Sequence, residues 1–157
     1  MLVREWMSPN PVTVSPSQTL PEAVQIMKQG GFRRLPVIEQ GKLVGIITDR
    51  DCKEAMPSDA TSLSIWEINY LLSRIKVAEV MTPAPEVIQS FMPLPAAARI
   101  MLNRKVGGLP VVGDSAELVG IITVTDVLKA FLQQESQLTN MDERSSEAPA
   151  AVSARPL

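Results

Sequence analysis

The residues of this chain best placed for chemistry are Thr48 with Asp51 and Thr123 with Asp126. Each pair closes a run of the same type, Leu43-Val44-Gly45-Ile46-Ile47-Thr48-Asp49-Arg50-Asp51 and Leu118-Val119-Gly120-Ile121-Ile122-Thr123-Val124-Thr125-Asp126. The apolar run reads as a buried strand, and a helical pattern begins at the Asp, so Thr and Asp stand at a strand-to-helix corner. There the hydroxyl and carboxylate oxygens, with the unpaired N–H groups of a first helical turn, can hold a polar ligand. The same two residues can instead cap the helix. Their recurrence in one short chain points to a paired site.

The next candidates are Arg33 and Arg34, before Leu35-Pro36-Val37, where the matching stretch has Gly107-Gly108-Leu109-Pro110-Val111. A guanidinium meets phosphate oxygens in a fork geometry, although two arginines can also be a solvated edge. Other chemistries are poorly supplied. The sequence has no His, the commonest general base, and one Cys, so an independent enzyme and a metal centre are both disfavoured. Cys52 has charged neighbours and reads as a small packing residue; a lone Cys excludes an internal disulfide and fits a reducing compartment. The net charge of −2 gives no reason to expect nucleic acid or an anionic membrane. No apolar run is long enough for a membrane span, and Met1 leads into Arg4-Glu5-Trp6, so a cytoplasmic protein is expected.

The elements that must position these residues come in two copies. Val3 through Pro11 matches Val77 through Pro85, with Met7-Ser8 and Met81-Thr82 offset by 74 residues, and Gly45 and Gly120 are offset by 75. The extra residue falls in the turn after Val112. Each copy reads as strand–helix–strand–strand–helix. In the first, Val12-Thr13-Val14 is a short strand, and Thr19 through about Gln29 is an amphipathic helix. Thr19 and Glu22 have capping-box spacing and Gly30-Gly31 ends the helix. Arg34–Ile38 and Leu43–Thr48 flank a turn at Gln40-Gly41, and a second helix spans Asp51–Met56. The second copy has Pro93 and Ala96 in place of Thr19 and Glu22, so its first helix lacks side-chain capping.

The expected organisation is repeat 1 over 1–56, a linker helix within 57–76, repeat 2 over 77–132 and a flexible tail over 133–157. About fifty residues bury too little apolar surface to fold alone, so the halves are expected to stack sheet to sheet around a shared core, with clefts at the pseudo-two-fold junction. In the linker, Ser64 and Glu67 have capping-box spacing, and the apolar residues of Ser64–Ile75 cover most of the circumference. That helix is expected to cover the core, to form a subunit interface, or both. After Gln133 the apolar periodicity decays.

These marks together resemble a known family, the tandem cystathionine-β-synthase (CBS) domain pair or Bateman module. They are Met-Ser/Thr before a Pro-rich turn, Arg33-Arg34-Leu35-Pro36-Val37 with Gly107-Gly108-Leu109-Pro110-Val111, and the Gly-x-x-Thr-x-x-Asp pair, spanning about residues 3–132. The linker also looks like that of stand-alone bacterial proteins related to an acetoin-utilisation protein. The resemblance implies an α+β fold of two β-α-β-β-α repeats and a non-catalytic sensor. It implies AMP, ADP or ATP as ligand, no prosthetic group, a homodimer and an unidentified regulated protein. One cleft would use Ser8, Val12, Thr13, Arg33, Arg34, Thr123 and Asp126; the other Thr48, Asp51, Thr82, Val87 and Gly108, with Glu86 and Gly107. The first is preferred, because the second has glycines for the arginines and Glu86 for Val12. The alternatives are an S-adenosylmethionine sensor and a ligand-free structural module for dimerisation or docking.

Overall fold

The computed structural model describes residues 1–58 and 62–146. The first repeat contains α1 (Val3–Trp6), β1 (Ser8–Pro9), α2 (Leu20–Gly30), β2 (Arg34–Glu39), β3 (Lys42–Thr48) and α3 (Asp49–Glu54). A connecting helix, α4 (Ile65–Arg74), leads to α5 (Val77–Val80), β4 (Thr82–Pro83), β5 (Ile88–Gln89), α6 (Leu94–Arg104), β6 (Gly108–Val112), β7 (Leu118–Thr123) and α7 (Val124–Ser146). Local chemistry sets most of these limits. Thr19 and Glu22 form a reciprocal capping box at the start of α2, and Gly31 ends the helix in the left-handed region at φ 66°. α6 starts at Pro93 with no side-chain cap, and Lys105 takes the left-handed position with φ 55°. Gln40 and Gly41, both at positive φ, turn β2 into β3.

Strand pairing crosses the repeats. One sheet has the order β1-β7-β6-β5 and the other β2-β3-β4. β1 of the first repeat thus pairs antiparallel with β7 of the second, Ser8 opposite Ile121 and Pro9 opposite Gly120. In the reciprocal exchange β4 pairs with β3, Thr82 opposite Ile46 and Pro83 opposite Gly45. The glycines are required there. A Cβ on Gly120 would lie 2.5 Å from the Met7 sulfur and 2.9 Å from the Ser8 carbonyl oxygen; on Gly45, 2.5 Å from the Met81 sulfur and 3.0 Å from the Thr82 carbonyl oxygen.

The exchange also divides the interior. Instead of one shared core there are two buried clusters, each completed by the opposite repeat. Val3 of α1 is buried with Ile88, Leu94, Leu109 and Ile122, and Val77 of α5 with Val14, Leu20, Leu35 and Ile47. The expected strand at Val12–Val14 is reduced to a parallel bridge from Val14 to Val37. Val14 is buried there, while Val12 and Thr13 are exposed.

Two helices depart from expectation. α4 is capped by Ser64 and Glu67, whose carboxyl the Ser64 N–H and hydroxyl hold below its ordinary range. One face packs: Leu72 and Ile75 rest on the first repeat's cluster. The opposite side carries Ile65, Trp66, Tyr70 and Leu71 in solvent, Trp66 80% exposed. α7 continues to Ser146, well past the expected start of the tail at Gln133. Its distal part keeps good helix formers at Gln133, Gln134, Glu135, Gln137, Leu138 and Met141 among exposed polar residues, so burial is lost there without loss of helicity. The rest of the expected tail, 147–157, lies outside the described residues.

Candidate functional site

Both strand-to-helix corners are reciprocal hydrogen-bonded boxes. At the first, the Thr48 N–H donates to Asp51 Oδ2 at 2.9 Å and the Asp51 N–H to Thr48 Oγ1 at 3.1 Å. At the second, the Thr123 N–H and hydroxyl donate to Asp126 Oδ2 at 2.8 and 2.7 Å, and the Asp126 N–H reaches Thr123 Oγ1 at 3.4 Å. The capping role is therefore filled at both corners. Among the described residues Oδ1 of each Asp makes no hydrogen bond, so one acceptor per corner is left for another group.

Two clefts lie between the repeats. The first, about 530 Å³, brings Ser8, Val12, Arg33 and Arg34 together with Thr123. Thr13 and Asp126 do not line it; Asp126 stands behind Thr123, holding its hydroxyl. The second, about 490 Å³, brings Thr48, Asp51, Thr82, Glu86, Gly107 and Gly108 together, without Val87. Sequence reasoning missed Phe32 and Thr125 in the first cleft and Val106, Asp49 and Arg50 in the second. Phe32 and Val106 occupy matching places in the two repeats, so the internal alignment carried that signal.

The charges of the clefts differ. The first is lined by Arg33 and Arg34 with no carboxylate. The second holds Arg34, Arg50 and Lys105 against Asp49, Asp51 and Glu86. Glu86 also pairs with Arg104 at 3.0 Å, both side chains well exposed, so the cation answering it most directly is Arg104, ahead of the Lys105 that lines the cleft. Arg34 lines both clefts, which corrects the expectation that the second lacks arginine. Its Nη2 lies 2.5 Å from where a Cβ on Gly107 would sit, and its Cδ 2.9 Å from that position on Gly108. The two glycines are what let the side chain cross to the opposite repeat. Burial lowers its pKa; Asp49 opposes that shift and Arg33 adds to it. Cys52 is buried, and burial first, then Asp51 and Asp49, pushes its thiol up to about 11. A thiol so held is a packing group. Among the described residues no cluster of His, Cys, Asp and Glu is suited to a metal ion, and no helix is long and apolar enough to cross a membrane.

The sequence profile of the CBS domain matches residues 3–58 and again 77–133. The chain belongs to the CBS-domain family. Solved CBS pairs share the fold. CBSX2 of Arabidopsis thaliana, in complex with AMP, is 33% identical with a TM-score of 0.69, over 85% of this chain and 98% of that one. The CBS pair of protein MJ0100, in complex with 5′-methylthioadenosine and S-adenosyl-L-methionine, is 27% identical with a TM-score of 0.71, over 85% and 98%. A putative acetoin utilization protein from Vibrio cholerae is 27% identical with a TM-score of 0.67, over 96% and 98%. The expected likeness to that group of stand-alone proteins is thus found. Curated relatives include longer chains: this CBS pair spans 47% of an uncharacterized protein of Methanocaldococcus jannaschii that is 31% identical over 137 residues.

Proposed function

We propose that this CBS pair is a non-catalytic regulatory module that binds AMP, ADP or ATP in the first cleft. The observation that carries the reading is the pairing of Arg33 and Arg34 with no opposing carboxylate among the lining residues, beside a hydroxyl corner. Arginine forks suit phosphate oxygens. The ring of Phe32, partly exposed, offers a face to a base, and Asp126, itself outside the lining, holds the hydroxyl of Thr123 that lines the cleft. A CBS pair crystallised with AMP supports the same ligand class.

A second reading is favoured at the other cleft. Its three cations face three carboxylates, so no surplus positive charge awaits a phosphate. A net-neutral or cationic adenosyl compound suits it better, as in the CBS pair solved with 5′-methylthioadenosine and S-adenosyl-L-methionine. We also propose a homodimer, from the exposed apolar side of α4.

Isothermal titration with adenosine, AMP and ATP tests the nucleotide reading. A charge-assisted hydrogen bond is worth roughly 1.5–3 kcal/mol, so Arg34→Ala is expected to weaken AMP and ATP by roughly ten- to a hundredfold and adenosine little. Asp126→Ala is expected to weaken all three, and Asp51→Ala to matter less. Absence of saturable binding by any of them sinks the reading and leaves a structural module.

A further inference from the structure

We propose that Arg34 is a single phosphate anchor held in common by the two clefts, so that one chain binds one phosphorylated ligand well and a second much more weakly. The inference rests on the nucleotide reading above and assigns that reading a stoichiometry. Arg34 begins β2 in the first repeat, yet its guanidinium lies against Gly107 of the second, where a side chain would collide with it. It lines both clefts. It is half-buried, and among the described residues it makes no hydrogen bond or ion pair. A half-buried guanidinium with the charge of Asp49 nearby but no hydrogen bond to it is short of acceptors, and an anion entering from either side supplies them.

The two sides are not independent. A phosphate engaged from the first cleft takes up the fork of Arg34 and places negative charge next to the second. A phosphate arriving there would meet Arg50 and Lys105, but these face Asp49, Asp51 and Glu86. Without the positive charge of Arg34 the second cleft is net acidic, and like charges at a half-buried position are weakly screened. A ligand lacking phosphate has no such conflict. Adenosine can therefore fill both clefts alike, while AMP fills one well and the other weakly.

The test is calorimetric titration of the full chain with adenosine and with AMP, for wild type and Arg34→Ala, with thermal unfolding to confirm that the variant folds. Wild type is expected to take two adenosines per chain. It should bind one AMP well and a second roughly ten- to a hundredfold more weakly, the range a lost charge-assisted hydrogen bond gives. In Arg34→Ala the first AMP weakens by roughly ten- to a hundredfold while the second, which already does without that guanidinium, changes by roughly threefold or less, so the gap narrows to what Arg33 and the carboxylates of the second cleft leave. Two equivalent AMP molecules on the wild type would overturn the proposal. So would a gap of undiminished size in Arg34→Ala, since it would then come wholly from the other lining residues, or adenosine saturating at one per chain. If neither compound binds, the nucleotide reading itself fails and this inference with it.

Discussion

The place where β1 crosses β7 gives a perturbation whose size follows from the coordinates. In Gly120→Ala the new methyl would sit 2.5 Å from the Met7 sulfur, 3.0 Å from Met7 Cγ and 2.9 Å from the Ser8 carbonyl oxygen. The thioether can swing aside, being the far end of a flexible side chain. The carbonyl cannot, because it belongs to the strand paired with β7. Overpacking of this kind costs about 1–3 kcal/mol, and restricting the unfolded chain by Gly→Ala returns about 0.4–1 kcal/mol. Taken at the middle of both ranges the net loss is about 1.3 kcal/mol, or roughly 3–5 °C in melting temperature for a domain of this size. The same shift moves Ser8, which lines the first cleft, so AMP affinity is expected to fall by roughly three- to tenfold. Gly45→Ala meets Met81 and the Thr82 carbonyl in the same way but at the second cleft. It should cost similar stability and leave the first AMP unchanged. Calorimetric melting with titration of AMP reads all four quantities. An unchanged melting temperature in Gly120→Ala would refute the close-approach argument; equal affinity losses in both glycine variants would refute its assignment to separate clefts.

Cys52 is expected to react with iodoacetamide at pH 8 at least roughly a hundredfold more slowly than an ordinary thiol. A pKa of about 11 against 9.0 makes its thiolate that much scarcer, and labelling within tenfold of free cysteine would contradict the raised value. Because the folded value is the higher one, stability is expected to hold below about pH 9 and to fall as pH climbs towards 11, where the unfolded chain releases the proton first. For the dimer, Trp66→Glu with Leu71→Glu is expected to shift the mass in light scattering towards monomer without lowering the melting temperature, since both side chains are exposed. A wild type already monomeric at tens of micromolar would remove that proposal.

Much of the fold can be read from the sequence because its signals are local. Thr19-Glu22 and Ser64-Glu67 announce helix starts, Gly31 a helix end and Gln40-Gly41 a turn, and all but the linker's Ser64-Glu67 repeat or alter recognisably in the second copy. What cannot be read is which copy a segment packs on. Ser8 and Thr82 sit in short pieces whose sequence is the same whether they fold back or cross over, so the exchange and the two separate cores stay hidden. The glycines at 45 and 120 carry a trace of it, since they mark where another backbone must pass. The crossing of Arg34 is hidden for the same reason: its reach depends on Gly107 and Gly108, more than seventy residues away in the chain. α7 is missed beyond Gln133 because apolar periodicity reports burial, and a solvated helix has none to report.

The reciprocal exchange of β1 and β4 makes the chain a fused form of a swapped pair. A single repeat would have a sheet edge lacking its last strand and a terminal segment lacking its sheet, and two copies of one repeat would satisfy both needs at once. The connection through α4 then acts as a tether and is not the clasp. A chain nicked at the exposed residues 56–58, after α3, is expected to keep both fragments together on a gel-filtration column, because each holds the other by a strand and a buried valine. Gene duplication would in this way have needed no new contact: a tie between two already interlocked copies frees each to diverge, which is how one can acquire paired arginines where the other keeps paired glycines.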